Sequence, residues 1–176
     1  MSELNLDGSH AIAKKGGGSV AYQGRKKAKT SNILPIFDKD GYVLASTGIV
    51  AGNHNDAFNL KPHLQLALKW IKRQDLSIQF NADCTFDTQE ARKVCFNHKL
   101  LPNIPENKPN RKRAKPGSKR MFHQDVYKRR FTAERSFAWI DKFRALLVRY
   151  DHRDICFLSA HYIAFAMINL PNVTNL

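Results

Sequence analysis

Apolar and polar residues alternate at the start of the chain. Leu4 and Leu6 fall on one side and Asn5 and Asp7 on the other, the period of a half-buried strand. Residues 8–19 then bring Gly8, Gly16, Gly17, Gly18 and Ser19, which is loop chemistry. Residues 33–37 and 42–50 read as two more strands. Asp38-Lys39-Asp40-Gly41 joins them as a hairpin turn, with Gly41 free to take positive φ. Pro62 suits the first turn of a helix. Leu64, Leu66, Ala67, Leu68, Trp70 and Ile71 supply that helix's apolar face. Residues 76–80 alternate strictly and run into Asn81-Ala82-Asp83. Residues 88–98 are helical, with Asp87 and Glu90 spaced like a capping box. Residues 100–104 form a short strand.

The rest of the pattern is helical. Residues 105–120 mix proline, glycine and many cations, and predict an exposed basic insertion loop. One long helix follows over 126–150. A last helix covers 155–170, interrupted by Ser159 and His161. It is read as a core helix, too short and too polar to span a bilayer. This order predicts an α/β fold with a mixed sheet: three hairpin-joined strands, then alternating helices and strands.

Size allows one domain over residues 1–176, and 43% hydrophobic residues supply a proper core. Charge changes the picture more. Lys and Arg total 29 against 15 acids, a net +14, which points to a polyanionic partner. Nucleic acid fits best, and no membrane partner is expected. Three cysteines, Cys84, Cys95 and Cys156, form neither a disulfide framework nor a zinc pattern, and read as buried thiols. With no apolar leader at the N-terminus, the expected location is cytoplasmic.

Few acids oppose this charge, and three sit in suggestive places. Asp7 ends the first strand, Asp83 ends the strand over 76–80, and Glu134 lies in a basic helix. Phosphodiester chemistry uses two divalent ions about 4 Å apart, and such ions need hard oxygen ligands. On an ideal helix Tyr127, Arg130 and Asp141 share a face with Glu134, each within about 40° of it.

Five segments together resemble the DDE transposases of bacterial insertion sequences. They are Asp7-Gly8-Ser9-His10, the basic run from Gly24 to Thr30, Gly52-Asn53-His54-Asn55-Asp56, Asn81-Ala82-Asp83, and Tyr127-x2-Arg130-x3-Glu134-Arg135. The likeness runs from about residue 5 to 170. It implies an RNase H-like fold and DNA strand cleavage and transfer, with Asp7, Asp83 and Glu134 as catalytic metal ligands. The implied cofactor is two Mg²⁺ ions, with Mn²⁺ as a substitute. Tyr127 and Arg130 match the residues that accompany the last acid. The family's usual Lys seven positions after the Glu is Asp141 here, and Lys142 follows it. Double-stranded DNA, both transposon ends and target, is the implied partner. Arg25, Lys26, Lys27, Lys29, Tyr127, Arg130 and Lys142 are its candidate contacts. A homodimer on DNA and an upstream N-terminal polypeptide are further partners, because the chain reads as the C-terminal portion of such a protein.

Each signal has a plainer alternative. Glu134 pairing with Arg130 at i−4 is one. Asp87 reads as a helix cap, and His54, Asn55 and Asp56 as turn formers. Trp70 and Trp139 read as core. Residues 18–24 lack phosphate-loop spacing. Two rival functions stand beside the transposase: a truncated, catalytically inactive DNA-binding remnant, and an RNA-binding structural protein.

Overall fold

The computed structural model describes residues 2–71, 78–107 and 121–174. The alternation at the N-terminus becomes β1 (Glu3–Leu6), the middle of a sheet. On one side β1 pairs antiparallel with β5 (Pro35–Asp38), which pairs antiparallel with β6 (Val43–Ser46). On the other it pairs parallel with β8 (Ile78–Ala82), and β8 pairs parallel with β9 (Leu100–Asn103). The order β6-β5-β1-β8-β9 is the mixed sheet expected from the pattern.

A second sheet holds β2 (Ser9–Ala13), β3 (Ala21–Gln23) and β4 (Ala28–Ile33). The short strands β7 (Val50–Ala51) and β10 (Val148–Arg149) join it. Here the loop expected over residues 8–19 is corrected. Residues 9–13 pair antiparallel with β4, because Ala11 and Ala13 find an apolar face and His10 a polar one. The glycines count only at the bends. A Cβ on Gly8 would lie 3.0 Å from the Asp56 carboxyl, so the chain turns from β1 into β2 where only a bare backbone fits.

Helices cover both faces of the first sheet. Leu4, Leu6 and Ile36 meet Leu64, Ala67 and Leu68 of α1 (Leu60–Lys69) and Val94 and Cys95 of α2 (Gln89–Asn97). Each buried Leu, Ile or Val among them contributes about 1.5–3 kcal/mol. On the opposite face, Phe37 and Val43 pack with Ala133 and Ile140 of α4 (Thr132–Ile140) and Phe157 and Phe165 of α6 (Asp154–Thr174).

Several expectations are corrected in the helices. The cap of α2 is Thr88, whose side chain accepts from the Ala91 amide, while Asp87 binds the Arg92 guanidinium. Trp70 is 75% exposed rather than core. Cys95 is buried, its thiol pushed up to about 12 by burial, but Cys156 is exposed. The single helix over 126–150 is instead a broken arm. It begins with α3 (Gln124–Lys128), tightens into a 3-10 turn over Arg129–Phe131, and continues as α4. It then breaks at Phe143, where the backbone is extended, before α5 (Arg144–Leu147) and β10. The break lets β10 pair with β2, a partner invisible to helical periodicity.

Arg149 of β10 is fully buried. It donates to the Ser31 hydroxyl, the Asp151 carbonyl and the Asp154 carboxylate. Its guanidinium lies 5.1 Å from the Phe157 ring centroid. This ties the second sheet to the start of α6. The last helix is longer than expected and only partly core. Residues 154–171 have mean hydropathy 1.3 with 22% buried, enough length and apolarity to cross a membrane by those two criteria.

Candidate active site

The register of β1 against β8 builds the site. Leu6 lies opposite Ala82, so Asp7 and Asp83 leave the carboxyl ends of two adjacent parallel strands side by side. Asp83 caps the 3-10 turn Cys84–Phe86 by accepting from the Cys84 amide at 2.5 Å. Asp7 accepts from the Gly8 amide at 2.9 Å. Its other oxygen lies 3.2 Å from Arg130 Nη1, an ion pair rather than a directed hydrogen bond, since that nitrogen has no hydrogen-bond acceptor among the described residues.

Burial raises the pKa of Asp7 above the usual carboxylate value. Arg130 and the Gly8 amide oppose the rise, and Asp56 and Asp83 add to it. The site therefore gathers more negative charge than one arginine balances.

Asp56 is the member that sequence reasoning missed. It was read as a turn former, yet it lies against Gly8, directly beside Asp7. His10 Nε2 is 3.4 Å from its Oδ1, and Asn32 Nδ2 donates to the same oxygen at 2.6 Å. The hydrogen bond to His10 holds its pKa down; burial opposes this, and Asn32 and Arg25 reinforce it. The sequence carried no local signal for this: Thr30, Ser31 and Asn32 form a polar run before Ile33, yet all three are buried in β4.

The arm delivers the cation. Arg130 sits on the 3-10 turn with its guanidinium 5.7 Å from the Tyr127 ring centroid. Burial raises the Tyr127 pKa, so the phenol stays neutral behind Arg130. Glu134 is exposed in the first turn of α4. The charges acting on Asp7 are Arg130, Asp56 and Asp83. A 3-10 turn rotates about 20° more per residue than an α-helix. The tightened turn therefore widens the angle between Arg130 and Glu134 beyond the value of about 40° on a uniform helix. Asp141 ends α4 and Lys142 follows it in a turn, lining a groove with Tyr42, Trp139 and Met167.

The cationic run forms the tip of the β3–β4 hairpin. Lys27 takes φ +48 in the turn, and Arg25, Lys26, Lys27 and Lys29 are exposed. Lys26 Nζ donates to the His10 carbonyl at 2.6 Å, and Gln23 Nε2 lies 3.3 Å from the His10 ring. The tip is thus fastened to the strand that begins next to Asp7. Residues 108–120 of the expected basic loop lie outside the described residues.

Hard carboxylate oxygens are the donors that Mg²⁺ or Mn²⁺ takes, and the surplus negative charge at Asp7 favours a cation there. Asp7 and Asp83 are two such donors, at the ends of neighbouring parallel strands. Among the described residues, no group of three His, Cys, Asp or Glu side chains is arranged to hold one.

Residues 3–170 match the transposase DDE domain family. No curated protein matches the chain. Among solved structures, it is similar to the piggyBac transposase in a synaptic complex with hairpin DNA. The TM-score is 0.57 and the identity 12%, over 96% of this chain and 46% of that one. The chain thus spans less than half the length of that relative, and shares with it the RNase H-like fold. A slighter likeness, TM-score 0.40 at 10% identity, links 57% of the chain to 34% of the Mos1 transposase in a paired-end complex with its left transposon end.

Proposed function

The chain belongs to the transposase DDE domain family, and from that premise we propose that it cleaves DNA and transfers the cut strand at the ends of an insertion sequence. The observation that carries this reading is the pairing of Asp7 with Asp83 at the ends of adjacent parallel strands, with Arg130 standing on Asp7. Asp7 and Asp83 would hold divalent metal, and Glu134, exposed on the arm four residues beyond Arg130, would supply the third carboxylate. When bound, two Mg²⁺ ions, or Mn²⁺ in their place, supply the Lewis acidity that activates an attacking oxygen and stabilises a leaving one.

The chain's own groups do the positioning. Arg130 neutralises Asp7 in the free protein and takes a backbone phosphate in the DNA complex. Tyr127 packs against Arg130 and restrains its plane. Arg25, Lys26, Lys27 and Lys29 grip phosphates beside the acids, where their charge raises local DNA concentration. Lys142 makes an outlying backbone contact. A second copy on the DNA and an upstream N-terminal polypeptide complete the assembly, in the cytoplasm with the nucleoid.

A cleavage and strand-transfer assay with element-end duplex and Mg²⁺ tests this. Asp83→Asn lowers the rate by about 100-fold or more while duplex binding persists. Cleavage by Asp83→Asn at the wild-type rate overturns the assignment.

Two observations favour a second reading, a DNA-binding remnant without activity: Arg130 already occupies Asp7, and Glu134 stands exposed. A remnant binds duplex with a steep salt dependence and shows no cleavage at any concentration of Mg²⁺ or Mn²⁺.

A further inference from the structure

Three asparagines stand in register across the first sheet. Asn5 of β1 lies opposite Asn81 of β8, and Asn81 opposite Asn103 of β9. All three are at most 1% exposed. Their amides form one unbroken chain with a single direction. The His123 amide donates to Asn103 Oδ1 at 2.8 Å. Asn103 Nδ2 donates to Asn81 Oδ1 at 2.8 Å, Asn81 Nδ2 to Asn5 Oδ1 at 2.9 Å, and Asn5 Nδ2 to the Asp38 carbonyl at 3.2 Å. Asn103 Nδ2 also donates to the His123 carbonyl at 3.0 Å. Aligned amides polarise one another, and a buried amide left without a partner is costly, so such a chain is held as a unit.

The two ends of this chain lie at two attachment points of the helical arm. At one end Asn103 holds both backbone groups of His123, the residue just before α3. At the other, the ladder reaches Asp38, which opens the turn to Gly41. That turn is fastened to α4 where the Ser136 hydroxyl and the Arg135 guanidinium meet the Gly41 and Asp40 carbonyls. Between the two clamps, Arg129 pairs with the buried Glu3 at 2.5 Å, and Arg130 pairs with Asp7. Glu3, Asn5 and Asp7 alternate with Leu4 and Leu6, so one face of β1 carries an anchor for the arm, the ladder and the acid in sequence.

We propose that Asn5, Asn81 and Asn103 are positioning residues: a polar strut across the sheet that fixes the arm, and with it Arg130, against the Asp7–Asp83 pair. The consequence for DNA cleavage rests on the function proposed above; the mechanical claim does not. Asn81 touches neither the arm nor His123 through its hydrogen bonds, so cutting the strut there separates relay from contact.

The test is amide hydrogen exchange on the full chain with Asn81→Leu. Protection over residues 123–131 falls at least tenfold, while α1 and α2 keep theirs. Asn103→Leu does the same and serves as the second variant if Asn81→Leu does not fold. In the cleavage assay, either variant lowers kcat at least tenfold with KM for duplex unchanged within twofold. Protection lost evenly across all elements, or kept in the arm, overturns the strut. A wild-type chain that never cleaves overturns the proposed function and leaves the exchange result to decide the strut alone.

Discussion

Asp7 stands where a carboxylate is least comfortable. Burial is the largest influence on it and raises its pKa, so the folded state takes up its proton more readily than the unfolded chain. The linkage sign follows. Below the unfolded value near 3.8 Asp7 imposes no penalty; as pH rises through the raised folded value, stability is lost. Asp7→Asn is therefore expected to melt higher than wild type at pH 7.5, with the gap closing below about pH 4. For a chain this size, each kcal/mol appears as about 2–4 °C. Equal melting temperatures at pH 7.5 would show that the Arg130 pair fully offsets burial. At this scale the sequence was partly readable. Alternation put Asp7 and Asp83 at strand ends, on the face away from the leucines. Asp56 was not readable, because its meaning comes from His10 and Asn32 on strands that precede it by 46 and 24 residues.

Elements with a local cause were legible; those held by distant partners were not. The alternation of residues 3–6 and 78–82 needed only its period of two to become strands, although the fold buries both faces of β1 and nearly all of β8. The turn over residues 38–41 needed only Gly41, found at φ +89. That turn also carries load: a Cβ on Gly41 would lie 2.6 Å from Ser136 Oγ. Gly41→Ala thus combines backbone strain with a clash against the arm, and should cost about 1–3 kcal/mol. Urea unfolding should show a lower midpoint at unchanged slope; an unshifted midpoint would mean the turn adapts freely. The arm itself was misjudged as one helix. Its periodicity is helical throughout, and nothing in that periodicity shows that Phe143 must extend so residues 148–149 can pair with β2.

Over the whole molecule, charge and topology meet at one edge. The net +14 is a property of composition, but the hairpin tip at residues 25–29 is brought beside the acids because β4 pairs with β2 and because Lys26 and Gln23 fasten the tip to His10. If this tip grips phosphates, replacing Arg25, Lys26 and Lys27 by Gln makes the plot of log K against log salt for duplex binding shallower. The change is about 0.9 per lost phosphate contact. An unchanged slope would place the DNA elsewhere on the surface. Arg149 has the structural counterpart of this role. Fully buried and shared among Ser31, Asp154 and the Phe157 ring, it joins the second sheet to the last helix. Its sequence neighbourhood gave no sign of burial.

The sequence by itself determined the α/β class, the strands that end in Asp7 and Asp83, the hairpin turn, and a strongly cationic protein suited to a polyanion. These follow from short-range periodicity, turn stereochemistry and composition, which act without knowledge of distant partners. Only the tertiary structure decided that Asp56 joins the acids, that Arg130 faces Asp7 while Glu134 turns to solvent, and that three asparagines line up across the sheet. Those outcomes depend on strand register and on where helices break, and both are set by residues dozens of positions apart competing for the same buried surface.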